Sequence, residues 1–335
     1  VGRRKVRAAG WALFVIGTAA PLVRRRLVHG RYLAQALAYA APAGIYLALD
    51  RSPRRSVAVC ASHMWAYLSA YELPNDRPLE LRQRVRLGYP LRADRALAGG
   101  RLPTVVLQRR LGGRSRTLDG LLVWSHWLWF VVPHSALAWI LYRQPQRFPG
   151  AAARTYAVFD LGALIYWVLP TAPPWYAAQV ARSGAVDLPP EVMAVRRLMV
   201  EYGEGFWGDG WGPLFSLLGG NPLAAMPSLH LATSLAATLE LREVDPPAAL
   251  VAAAYTATLS FALVYLGEHY VVDLLAGALL TALVRRLAAP ATPYAQRVAA
   301  ALARLGEGRR LAAYTSESKV TPWKEAAWQI LQSSR

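Results

Sequence analysis

The chain has 335 residues, of which 55% are hydrophobic and only 17% charged; a soluble domain carries about a quarter charged residues. The net charge is +18 and nearly all arginine, but these arginines lie between apolar segments. There they meet anionic headgroups or phosphate, or set topology, so nucleic acid is excluded as a partner. With a mean hydropathy of +0.22, the chain reads as an all-α integral membrane protein, because helices satisfy their own backbone groups in lipid.

Apolar helices are expected at 8–23, 32–49, 56–73, 119–142, 156–170, 224–241, 248–267 and 270–287. A span needs about 20 residues at 1.5 Å each. The pattern therefore predicts roughly six to eight spans, the last five segments forming the functional core. The first segment follows Arg3, Arg4, Lys5 and Arg7 and runs into Arg24, Arg25 and Arg26 with no small-residue cleavage site. It reads as an uncleaved anchor or interfacial helix, not a signal peptide. Val1 in place of Met reads as an alternative start codon and points to a bacterial source. Cys60, the one cysteine, sits in an apolar run and has no internal disulfide partner.

Residues 74–118 are Arg-rich and broken by Pro74, Pro78, Pro90, Gly99, Gly100 and Pro103, as in a large loop with short interfacial helices. A second loop, 176–221, carries Tyr202, Phe206, Trp207, Trp211 and Phe215, aromatics suited to headgroup depth or to covering a lipid entrance. The tail from Ala288 is basic. Residues 294–306 are expected as an amphipathic surface helix and the last twenty residues as a mobile end. The chain thus divides into N-terminal membrane helices (1–73), an interfacial loop (74–118), a catalytic bundle (119–288) and a basic cytoplasmic tail (289–335).

Arg285, Arg286, Arg297, Arg304, Arg309 and Arg310 favour a cytoplasmic C-terminus. Counting spans back from there puts His269, His230 and Trp175 on the extracytoplasmic side of a multi-pass protein of the bacterial plasma membrane. Arg143, Arg147 and Arg154 then fall inside, while the 74–118 loop falls outside against the charge rule, which long loops obey weakly.

Two segments carry chemistry. His269 and Asp273 are spaced four apart, one helical turn, so the carboxylate can hold the imidazole in one tautomer and stabilise its cation. Ser228 and His230 follow Pro227 at the start of an apolar run, where a helix N-terminus favours phosphate. Ser228 is either a phosphate donor or a plain helix cap. His230 can protonate a leaving alkoxide. Pro170-Thr171-Ala172-Pro173-Pro174-Trp175-Tyr176 ends another helix at the same expected depth, as a site wall or as a simple terminator. His126 is a further candidate for the site, and His63 is expected to be structural.

Pro227-Ser228-Leu229-His230 and His269-Tyr270-Val271-Val272-Asp273 resemble the second and third motifs of the phosphatidic acid phosphatase type 2 superfamily. They are most similar to its inositol phosphorylceramide synthase-like branch, and Ala172-Pro173-Pro174-Trp175 is similar to that branch's first motif. Asp94-Arg95, Leu102-Pro103-Thr104, Leu107-Gln108 and Ser125-His126 through Pro133 extend the likeness over about residues 90–287.

The resemblance implies a six-helix core bundle of the phosphatase/haloperoxidase type with extra N-terminal helices. It implies metal-independent chemistry without a cofactor, and a lipid phosphate as substrate. His269 would be the nucleophile, Asp273 its orienting carboxylate and His230 the general acid. Ser228, Pro173, Pro174, Trp175, Tyr270 and His126 would contact substrate. The chain departs from the commoner pattern at Leu263, where phosphatases of the main type carry arginine, and its first motif lacks lysine and arginine. Arg182, Arg196, Arg197 and the arginines of 81–116 are candidates to neutralise the phosphate. Two alternatives remain: His230, His269 and Asp273 as zinc ligands, and a lipid transporter or channel using the histidines as a proton relay, against which stands the absence of repeated halves.

Overall fold

The computed structural model describes residues 3–24, 30–213, 221 and 223–307. Phe215, Arg25, Arg26, Arg309, Arg310 and the last twenty residues lie outside them. The described residues are helical, with two isolated bridges, Arg86 with Thr171 and Thr171 with Ala224, in place of any strand. The helices are α1 (Arg3–Val23), α2 (Arg31–Ala48), α3 (Pro53–Glu72), α4 (Pro78–Arg84), α5 (Gly88–Leu97), α6 (Pro103–Leu111) and α7 (Arg116–Trp127). They continue as α8 (Val131–Arg143), α9 (Phe148–Val168), α10 (Pro174–Arg182), α11 (Leu198–Trp207), α12 (Leu229–Arg242), α13 (Pro246–Tyr265) and α14 (Val271–Glu307).

Prolines that punctuate the sequence mostly start helices. α4, α6, α10 and α13 each carry proline in the first turn, where the missing N–H costs nothing. The expected loop at 74–118 is therefore largely three short helices. α9 begins eight residues before the expected apolar segment at 156–170, because Phe148–Arg154 continues the helical pattern. The expected surface helix at 294–306 is the continuation of α14.

The single helix expected at 119–142 is instead two, α7 and α8, bent by 58° at residues 128–130. Pro133 explains the break. It has no N–H to give the Trp129 carbonyl one turn back, which accepts from Val132 instead at 3.2 Å.

The chain forms two compact units, one of residues 1–66, 141–149 and 290–335 and the other of 67–140 and 150–289. In the first, α1 and α2 pack backbone to backbone. A Cβ on Gly44 would lie 2.6 Å from the Gly10 carbonyl oxygen, and one on Gly17 would lie 2.3 Å from that of Leu37. Small residues at such contacts are how helices associate where lipid removes the hydrophobic drive between them. His63 lies edge-on to Tyr39 here.

In the second unit α14 packs against α12. Gly277 sits so close that a Cβ would meet the Ser228 carbonyl oxygen at 2.5 Å. Thr281 donates to the Ala232 carbonyl at 2.8 Å, and the Ser228 N–H donates to the Asp273 carbonyl at 2.9 Å. About 18 Å from Ser228 along α12 at 1.5 Å per residue, buried Glu240 accepts from Arg154 of α9 and Arg285 of α14, each at 2.7 Å. These arginines are held by a carboxylate inside the bundle. The outer face of α14 is a stripe of exposed leucines, Leu275, Leu279, Leu283 and Leu287, and α13 exposes Leu250 and Val251. Such faces suit lipid better than water.

By length and composition, two of the described helices, α1 and α13, can cross a membrane, and the bent pair α7–α8 makes a third if it counts as one span. The remaining apolar helices fall short of the roughly six to eight spans expected from sequence; α12, for instance, has only 14 residues. Replacing Gly277 with Val should force α12 and α14 apart, since the obstructing atom is backbone. The expected cost is about 1–3 kcal/mol, read as a lower unfolding temperature in detergent.

Candidate active site

The second unit holds every residue of the site. α12 starts at Ser228, whose Oγ accepts the Leu231 N–H at 3.3 Å, so the serine caps the helix. It is fully buried. Pro227 lies just ahead of the cap, its carbonyl accepting from the Tyr166 hydroxyl at 2.6 Å. Two residues past the cap, His230 lies against Trp129 at 4.2 Å between ring centroids and stacks on His126 at 4.8 Å with the planes 26° apart. The α7–α8 break puts both neighbours there. His126 ends α7, Trp129 lies in the bend, and Trp129 Nε1 donates to Thr233 Oγ1 at 2.9 Å.

His269 arrives from the other side, on the turn between α13 and α14. Gly267 makes that turn with φ +82°, a left-handed conformation that glycine adopts without strain. A Cβ there would also strike the Arg196 carbonyl oxygen at 2.7 Å. The backbone N–H groups of Glu268 and His269 both donate to the Leu263 carbonyl, at 3.0 and 3.1 Å.

The expected His269–Asp273 pair is present. Nδ1 of His269 lies 3.3 Å from Oδ2 of Asp273, which also accepts the Tyr270 N–H at 2.9 Å. On the far side of the ring, His269 Nε2 lies 3.0 Å from His230 Nδ1. Two imidazoles 39 positions apart in the chain thus share a hydrogen bond, and a carboxylate stands behind one of them. Both His269 and Asp273 are buried. With Nδ1 donating to Asp273, the Nε2 lone pair faces the shared space.

The other expected residues are placed as follows. Pro173 and Pro174 start α10 and are buried. The Trp175 N–H donates to the Gly267 carbonyl at 3.1 Å, and its ring lies 3.8 Å from the Arg197 guanidinium. His126 Nδ1 is buried with no hydrogen-bond partner among the described residues. Tyr270, expected to touch substrate, has a buried ring. Its ring packs among Leu91, Leu102, Val105, Ala177 and Val195, and what it brings to the site is the backbone N–H held by Asp273. Among the described residues no three His, Cys, Asp or Glu side chains are grouped to hold a metal.

The family likeness named Asp94 and Gln108 without a role, and the structure gives each of them one. Asp94 of α5 accepts the Val272 N–H at 2.9 Å, capping α14 from a distant helix. Gln108 of α6 clamps the Gly267 corner. Its Nε2 donates to the Arg196 and Tyr265 carbonyls, both at 2.9 Å, and its Oε1 accepts the Arg196 N–H at 2.9 Å. Glu268 pairs with Arg197 at 2.8 and 3.2 Å. The spacing of Asp94 and Gln108 carries no signal for these contacts. Pro133 could have revealed the bend, since an interior proline breaks a helix.

Burial pushes the Asp94 carboxyl from 3.8 up to about 6, with the Val272 N–H acting against that shift. A carboxyl raised on folding stabilises most below its unfolded pKa, and that contribution is lost as pH climbs through the folded one. Asp94→Asn keeps an oxygen for Val272 but cannot ionise. Its unfolding temperature relative to wild type should therefore rise between pH 4 and pH 7, measured by a melting series in detergent.

The profile of the PAP2 superfamily matches residues 107–287. No curated protein and no solved structure matches the chain. The matched stretch is more than half of the sequence and includes His126, Ser228, His230, His269 and Asp273. The chain is an all-helical membrane protein that belongs to the PAP2 superfamily, the phosphatidic acid phosphatase type 2 proteins, whose members are generally phosphatases.

Proposed function

We propose that this protein cleaves or transfers the phosphoryl group of a lipid phosphate through a phosphohistidine on His269. The observation that carries the reading is the line Asp273 Oδ2, His269 Nδ1, His269 Nε2, His230 Nδ1, with gaps of 3.3 and 3.0 Å across its two hydrogen bonds. A nucleophilic histidine needs one ring nitrogen held by an acceptor and the other aimed at the electrophile, with a proton donor beyond. The phosphorus enters between the two rings, so the direct contact between them must open for substrate.

In the first step His269 Nε2 forms the N–P bond and the P–O bond to the lipid breaks. His230 passes its proton to the departing alkoxide. In the second step a water or alcohol oxygen attacks the same phosphorus, His230 takes its proton, and the N–P bond breaks. Asp273 holds the Nδ1 proton throughout and stabilises the imidazolium that forms. Ser228 offers its hydroxyl proton to a phosphate oxygen while its lone pair caps α12. Pro173, Pro174 and Trp175 form the adjoining wall, and His126 supports the face of His230.

No residue role in this scheme calls for a metal. Leu229 within the serine–histidine motif, and the His-Tyr-x-x-Asp spacing of the last one, favour transfer to an alcohol over hydrolysis. The site opens to the extracytoplasmic side of a multi-pass protein in a bacterial plasma membrane, as the basic C-terminal region suggests.

The row His126, His230, His269, its first two rings stacked and its last two hydrogen-bonded, also has the form of a proton relay in a transporter. One experiment separates the two. Purified protein in detergent should release phosphate from a lipid phosphate with EDTA present, and His269→Ala should lower that by at least about a thousandfold. Asp273→Asn should lower it by roughly a hundred- to ten-thousandfold. Activity surviving His269→Ala rejects the phosphohistidine; loss with EDTA revives the metal alternative.

A further inference from the structure

The proposed site needs a cation for the phosphate, and the position that carries arginine in the commoner phosphatases is Leu263, which is fully buried. Four of the candidates raised by the sequence, Arg182, Arg196, Arg84 and Arg95, hold other partners. Arg182 donates to the Met193 and Val195 carbonyls at 2.8 and 3.0 Å, holding the loop after α10. The exposed Arg196 side chain pairs with Glu201 at 3.0 Å. Arg84 donates to the Trp167 carbonyl at 2.6 Å, and Arg95 pairs with Glu191 at 3.0 Å.

Arg197 differs in three ways. Its guanidinium carbon lies over the Trp175 ring, 3.8 Å from the centroid, and the Trp175 backbone is tied to Gly267. It forks onto both oxygens of Glu268, the residue directly before His269. It also interacts electrostatically with His126, as Glu268 does with both His126 and His269. Its backbone is fixed by the Gln108 clamp on Arg196, the preceding residue.

Glu268 is the odd member of this group. It is 9% exposed, and a carboxylate beside a phosphate site repels the ligand. Its two oxygens occupy the fork of a guanidinium, and that fork accepts carboxylate and phosphate in the same two-point geometry.

We propose that Arg197 is the phosphate-binding cation of this site and that Glu268 is its resting counter-ion, which phosphate displaces from the guanidinium. The inference rests on the phosphoryl-transfer reading and supplies the charge partner that reading lacks. The cation–π contact with Trp175 holds the guanidinium during the exchange. Glu268 holds the cation in position while the site is empty and competes with the anion that enters. Removing the Glu268 charge should therefore tighten phosphate binding, and removing Arg197 should abolish most of it.

The probe is inorganic phosphate, with binding followed by 31P line broadening on the full chain in detergent, and no turnover required. Arg197→Met alone leaves a buried carboxylate unpaired and endangers folding, so the informative comparison is Glu268→Gln against the double variant Arg197→Met/Glu268→Gln. A melting curve for each checks that both fold. Glu268→Gln should bind phosphate several-fold more tightly than wild type. The double variant should bind about tenfold or more weakly than Glu268→Gln, the loss expected for a hydrogen-bonded charge pair. Arg196→Met should match wild type.

Binding by the double variant within twofold of Glu268→Gln overturns the proposal. So does equal weakening in Arg196→Met, or no detectable binding by either wild type or Glu268→Gln. Arg197-dependent binding with neither phosphate release from lipid phosphates nor phosphoryl transfer to an added alcohol would leave this inference standing and sink the enzymatic reading. Release with binding indifferent to Arg197 would do the reverse.

Discussion

The close approach of α14 to the first turn of α12 is the contact on which the rest depends. Gly277 lets the helices come within backbone distance, so that the Ser228 N–H reaches the Asp273 carbonyl and Thr281 reaches that of Ala232. With His230 two residues from Ser228 and His269 four residues before Asp273, the two rings have little freedom to miss each other. A larger side chain at 277 would have to move backbone rather than a flexible chain end, which a close-packed interior resists.

Around that contact the protein spends its buried polar groups on the turn that carries His269. Asp94 caps α14, Gln108 binds three backbone groups at the Gly267 corner, and Trp175 adds a fourth tie through its N–H. Each comes from a different helix, α5, α6 and α10. A turn that must present an imidazole to within a fraction of an ångström gains from having its neighbours fixed from several directions. The Arg-rich stretch before α7, which looks like a loop, thereby becomes part of the site's frame. Leu91, Leu102 and Val105 from it pack directly on Tyr270.

Charge is divided between the two ends of the α12–α14 pair. At one end Glu240 gathers Arg154 and Arg285, and at the other Glu268 gathers Arg197 beside the histidines. The first cluster joins three helices. The second joins a loop to a turn and sits on an aromatic face, an arrangement that can exchange one anion for another without unpacking the bundle. Both clusters draw on arginines that the composition alone assigns to lipid headgroups.

The sequence by itself determined the helical membrane character, since low charge and long apolar runs leave few other ways to satisfy the backbone. It determined the His269–Asp273 pair too, because a four-residue spacing on a helix is a distance, and it marked Ser228 as a helix start. The meeting of His230 with His269 was suggested by the span count, which puts both on one side, and by likeness to a family, but it was decided by tertiary contact, as were the companionship of His126 and Trp129 and the partner of Arg197. Those depend on the bend at Pro133, the left-handed turn at Gly267 and the narrow gap at Gly277. Each of these sets angles and separations between helices, which local periodicity does not encode. The burial of the Tyr270 ring with Leu91 and Val195 was likewise decided by tertiary packing, since the motif places the residue but not its neighbours.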